Sequence, residues 1–153
     1  MTRPRIASLL TLMIAVSAAA AHAFFAEPPK PCFVSGANAY RIAGAEDANV
    51  TVRVNATAPD SGLRMQLVND PAIANFVFVD DNDSATACLG IGDVKTIRLD
   101  AEAAKPDLTV TLSEAAAPYK IYVRSAHYTP QDAAALFAVM RQDALKSRLA
   151  ARE

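Results

Sequence analysis

The chain has 153 residues, 52% of them hydrophobic, and a formal net charge of −1. That length fits one domain and is long enough to bury a core. A near-neutral balance with no basic cluster argues against nucleic acid as a partner, and against electrostatic binding to anionic lipid.

The N-terminus carries the strongest signal. Arg3 and Arg5 precede an apolar run from Ile6 to Ala20, and Ala21-His22-Ala23 supplies the small-x-small pattern of a cleavage site. This is the layout of a secretory signal peptide over residues 1–23, so the expected location is periplasmic or secreted. The apolar run is shorter than the roughly 20 residues a spanning helix needs. An uncleaved anchor is the alternative. No second long apolar stretch follows, so no membrane span is expected in the mature chain. Cleavage after Ala23 removes Arg3, Arg5 and His22, leaving 13 basic against 16 acidic residues, a formal charge of −3.

Residues 24–31 read as an extended lead-in, because Pro28, Pro29 and Pro31 break helices. Residues 32–153 form the expected single domain. Cys32 and Cys88 are the only cysteines. In an oxidising compartment they are expected to pair.

Alternation dominates from there to Arg124, the period of half-buried strands. In Asn49–Asn55, Val50, Val52 and Val54 share one face while Thr51 and Arg53 share the other. Leu63, Met65 and Leu67 alternate with Arg64 and Gln66, after a turn at residues 58–62. Asp70 followed by Pro71 predicts a short helical turn. Phe76-Val77-Phe78-Val79 is apolar on both faces, the pattern of a central strand covered on both sides. Strands follow at Val94–Leu99, Leu108–Leu112 and Tyr119–Arg124. A weaker one lies within Phe33–Ile42, interrupted by Gly36. No internal repeat is visible.

The period then changes. Thr129 is a good N-cap, Pro130 suits the first turn, and Asp132 completes a near capping box. Ala133, Leu136, Phe137, Met140 and Ala144 recur at helical spacing, which predicts a helix from Pro130 to about Leu149 with an apolar stripe laid on the sheet.

The residues able to carry chemistry are few. His127 is the only histidine left after cleavage, and Ser125 is the serine beside it. A hydrolase would have to use this pair, without a glycine elbow. Asp80, Asp81 and Asp83, with Asn82 between, make the best cation candidate, since calcium takes several oxygen ligands. EF-hand spacing fails, because Ala85 stands at the sixth position and Ile91 at the twelfth. Tyr122, Arg124, His127 and Tyr128 form an aromatic and basic group of the kind favoured at protein interfaces.

Asn69 to Asp81, Tyr119 to Ser125, and the helix start Thr129-Pro130-Gln131-Asp132-Ala133 together resemble small exported bacterial proteins of unknown function. The resemblance covers the C-terminal two-thirds and implies no activity, cofactor or catalytic residue. The expected fold is α+β, an antiparallel or mixed sheet of about five to seven strands with one C-terminal amphipathic helix packed on it. A β-sandwich with an appended helix is the runner-up. The expected function is a non-catalytic, protein-binding or envelope-accessory protein without a cofactor. A small-ligand or calcium module at Asp80–Asp83 is the alternative, and a hydrolase using His127 the third reading.

Overall fold

The computed structural model describes residues 31–44, 48–57, 62–80 and 92–152. The expected signal peptide, nearly all of the lead-in, most of the 58–62 turn, and Asp81, Asp83 and Cys88 lie outside the described residues.

Eight strands form one mixed sheet: β1 (Phe33–Ser35), β2 (Asn38–Ile42), β3 (Val50–Asn55), β4 (Leu63–Leu67), β5 (Phe76–Asp80), β6 (Val94–Leu99), β7 (Leu108–Ser113) and β8 (Tyr119–Ser125). One helix follows, α1 (Pro130–Ala150). The α+β class and the packed C-terminal helix are as expected. The strand count is eight rather than five to seven, and the sheet curls into a half-barrel. The eighth strand arises at Gly36. It does not interrupt one strand but turns the chain between two, in the left-handed conformation (φ 61°) that glycine adopts without strain.

The sheet order is β1-β2-β6-β3-β7-β4-β8-β5. Only β1 and β2 pair antiparallel; every other pair is parallel. Strands from the two halves of the chain therefore alternate. Parallel neighbours in chain order normally need a crossover of a dozen or more residues. Here the connections between β2 and β5, and between β6 and β8, are five to eight residues long. Stagger makes this possible. Ile42 and Val50 both pair with Ile97, Val54 and Leu63 with Val110, and Leu67 and Phe76 with Ile121. Within β2 to β5, and again within β6 to β8, each strand begins near the level where its predecessor ended, so each half of the chain steps forward past one neighbour at a time.

The joints share a device. Asn49, Asp107 and Asn75 stand immediately before β3, β7 and β5. Each donates its backbone N–H to a carbonyl on the neighbouring strand and accepts that same residue's N–H on its side-chain oxygen. Asn49 does this with Thr96 (2.9 and 2.8 Å), Asp107 with Thr51 (2.9 and 2.7 Å) and Asn75 with Lys120 (2.8 and 2.8 Å). Before β4 the corresponding residue is Gly62, at φ 78°, where a Cβ would sit 2.1 Å from the Thr109 carbonyl oxygen. The backbone takes up the space that a side chain fills at the other joints.

The expected helical turn is present. Pro71–Ile73 forms one 3-10 turn, and the Asp70 side chain accepts from the Ala72 N–H at 2.8 Å.

β5 corrects an expectation. The Phe76–Val79 run reads as a central strand, yet β5 is the last strand of the sheet. Phe76 and Phe78 point into the core, while Val77 and Val79 are 47% and 39% exposed.

The core lies between the inner face of the sheet and α1. Tyr40, Val52, Met65, Phe78, Ile97, Val110, Leu112 and Ile121 meet Ala133, Ala134, Ala135, Leu136, Ala138 and Val139. The helix does not present a stripe. Residues 132–136 are consecutive and all buried, and Ala144 is exposed. Three successive alanines carry no long side chains, so the first turns of α1 sit within the curl of the sheet rather than on top of it.

Candidate functional site

The sequence candidates converge where β5, β8 and α1 meet. Asp80 ends β5 and Ser125 ends β8, and the two are register partners. Ser125 Oγ donates to Asp80 Oδ2 at 2.8 Å, and His127 Nδ1 lies 2.7 Å from the same oxygen. Ser125 Oγ also accepts the backbone N–H groups of His127 (3.0 Å) and Tyr128 (2.9 Å). Activating a serine requires a base in contact with its hydroxyl. Here that hydroxyl hydrogen goes to Asp80, and the ring nitrogen facing the cluster goes to the same carboxylate. The arrangement ties the ends of two strands to the loop entering α1.

The helix begins directly after this tie. Thr129 accepts from the Asp132 N–H, and Asp132 Oδ2 accepts from the Thr129 N–H at 2.8 Å, which completes the capping box with Asp in place of Glu. Tyr128 departs from expectation. It is 6% exposed, its ring lies edge-on to Phe78 at 5.2 Å, and its hydroxyl donates to the Pro31 carbonyl. It belongs to the core rather than to an interface. Burial, then the charges of Asp80 and Asp132, push its phenol up to about 12. Tyr40, also in the core, is pushed up to about 12 by burial, by the charge of Asp143 and by a hydrogen bond to it. Lys95 pairs with the same Asp143 at 2.6 Å.

Of the three expected cation ligands only Asp80 is among the described residues; its carboxylate accepts from Ser125 and meets His127, and Asp81 and Asp83 lie outside them. Among the described residues, no group of three or more His, Cys, Asp or Glu stands together as a metal site would require. Cys32 lies 3.9 Å from Arg41 Nη2, and Cys88 lies outside the described residues.

Tyr122 and Arg124 point outward on β8. Their register partners on β5 are Val77 and Val79. Arg124 is exposed and Tyr122 half-buried. These four side chains form a mixed apolar and cationic patch on the rim of the sheet. The valines were legible as alternate positions of an apolar strand, but a strand apolar on both faces reads as covered.

A concavity of about 620 Å³ opens between the starts of β4, β7 and β8 and the middle of α1. Gly62, Arg64, Asp107, Pro118, Tyr119 and Arg141 are among its walls. The Arg141 guanidinium sits 5.0 Å over the Tyr119 ring.

Among the described residues, no helix is long and apolar enough to cross a membrane. No protein-family model matches the chain, and no curated protein or solved structure matches it.

Proposed function

We propose that the chain is an exported, periplasmic or secreted, non-catalytic protein that binds another protein through the outer face of β5 and β8. The observation that carries this reading is the pair Val77 and Val79. Two β-branched side chains stand in contact with water on a terminal strand, flanked by Tyr122 and Arg124. Apolar groups bordered by Tyr and Arg are the composition of protein contact surfaces. A strand at a sheet's end is also the usual place for an extended segment to add. The complementary partner offers apolar side chains to the valines and a carboxylate to Arg124. The same reading includes cleavage after Ala23 and a Cys32–Cys88 bridge in the mature protein.

The test is site-specific photo-crosslinking in the native envelope. A crosslinking residue at Val79 is expected to give a discrete protein adduct that a control at Glu102, in the β6–β7 turn, does not give. No adduct from Val79, or the same adducts from both positions, would overturn the reading.

A further inference from the structure

Basic residues that look scattered in the sequence are gathered by the sheet. Arg41, Arg98, Arg53, Arg64, Lys120 and Arg124 all occupy positions opposite in parity to the core residues of their strands, and so share the outer face. Asp80 is the only acidic residue in the eight strands, and its carboxylate is held by Ser125 and His127. The outer face of the strands thus carries six cations and no anion, in a chain whose net charge is −1. Asp100, just past β6, pairs with Arg98 at 2.7 Å. Among the described residues, no carboxylate pairs with the other five. Arg53 is half-buried, and its Nε is shielded from water without a hydrogen-bond partner.

The register converts this into a line. Arg41 is opposite Thr96, two residues before Arg98, and Arg98 is opposite Thr51, two residues before Arg53. Arg53 and Arg64 are opposite Thr109 and Thr111 on the strand between them, and Gln66, two beyond Arg64, is opposite Lys120. With strands about 4.8 Å apart and a rise of about 3.3 Å per residue, the cations from Arg41 to Lys120 stand about 8–12 Å apart along one diagonal, and Arg124 lies about 13 Å beyond Lys120 on the same strand. The stagger that lets the chain step forward also sets this spacing. Between the cations lie Thr51, Thr109 and Asn55, which offer hydroxyl and amide groups.

We propose that the diagonal row of cations on the outer face binds an acidic polysaccharide. A row of separated positive charges fits a polymer whose negative charges recur along its length. Hydroxyl and amide side chains between them match sugar hydroxyls. Single-stranded nucleic acid fits less well, because its binders stack bases on successive aromatic rings. Tyr122 is the only aromatic residue at an outward strand position. The proposal is separate from protein binding at Val77 and Val79, and its test leaves Arg124 unchanged so that the two fail independently.

The full-length protein is titrated with polygalacturonate, neutral dextran and a poly-deoxyadenylate strand. Polygalacturonate is expected to bind and dextran not to. Affinity should fall at least about tenfold between roughly 50 and 200 mM salt, as counterion release requires. The variant Arg41→Gln, Arg64→Gln, Lys120→Gln should lose at least about tenfold in affinity at the lower salt. The charge-matched variant Lys146→Gln, Arg148→Gln, Arg152→Gln, at and just past the far end of α1, should bind as wild type. Should the first variant fail to fold, Arg64→Gln alone, at an exposed position, must still weaken binding relative to Arg148→Gln. Failure of polygalacturonate to bind, equal losses in the two charge-matched variants, or tighter binding of the poly-deoxyadenylate would each overturn the proposal.

Discussion

Phe33 in β1 stacks on Phe78 in β5 with ring centroids 5.2 Å apart, although these strands stand at opposite ends of the sheet. The contact draws the two ends together across the mouth of the half-barrel. Phe78 also meets Phe76 and the edge of Tyr128, so it gathers aromatic contacts from β1, β5 and the loop before α1.

Phe78→Ala is predicted to cost about 3–5 kcal/mol of stability, the usual range for a buried Phe. Phe33 is only half-buried and should cost less. A double-mutant cycle by chemical denaturation should give a coupling of about 0.5–1.5 kcal/mol between them. Additive losses would mean that the mouth is held by something other than this pair.

The Asx joints make a second prediction. Asn75→Ala removes the acceptor for the Lys120 N–H and should destabilise by about 1 kcal/mol, because water can partly replace the lost bond. Asn75→Asp should retain most of the stability, since Asp107 serves the same position before β7. Equal losses in both variants would show that the joint does not depend on a side-chain oxygen.

Alkaline pH should weaken the fold through Tyr40 and Tyr128. The Tyr40 and Tyr128 phenols are pushed up to about 12 in the folded chain, against about 10 when unfolded. The folded state then holds their protons more tightly, so this stabilisation is complete below about pH 10 and is lost as pH rises toward about 12. Denaturation midpoints measured across that window should fall for the wild type. They should fall less steeply for Tyr40→Phe and Tyr128→Phe. Identical slopes in all three would refute the assignment.

The proposed bridge has a direct readout. A non-reducing mass measurement of the exported protein should show a chain lacking the thiol hydrogens of Cys32 and Cys88 and beginning at Phe24. Reduction should cost on the order of 4 kcal/mol, the chain-entropy expectation for a loop of about 57 residues. An unchanged melting temperature after reduction would remove the bridge as a stabilising element.

Local structure was largely legible in the sequence. Val50, Val52 and Val54 alternate with Thr51 and Arg53 because one face meets α1 and the other does not. Thr129 and Asp132 mark the start of α1 by the bonds they make. What alternation does not encode is the identity of a strand's neighbour. Val52 alternates identically whether it lies beside β4 or between β6 and β7, so the interleaved order was not readable. The same limit hid the outer face. Arg53 and Arg64 are eleven positions apart in sequence, and only the register aligns them. At the candidate site, the sequence places Ser125 beside His127, but Asp80, which meets both, lies 45 residues from Ser125, a separation that local pattern does not bridge. Helix periodicity misled for a different reason. A stripe model assumes one buried face, whereas Ala133, Ala134 and Ala135 are buried together because the sheet curls around them.

The alternating strand order also fixes when the fold can form. Neither β3 nor β4 touches a strand from its own half of the chain; β3 pairs with β6 and β7, and β4 with β7 and β8. A nascent chain that has emerged only as far as Asp80 can make one hairpin, β1 with β2, and no other ladder of the sheet. Its remaining strands must wait, extended and unpaired, for the second half to arrive and slot between them. Folding is therefore nearly all long-range and late. That delay keeps the first half of the chain free of long-range structure until the second half is present.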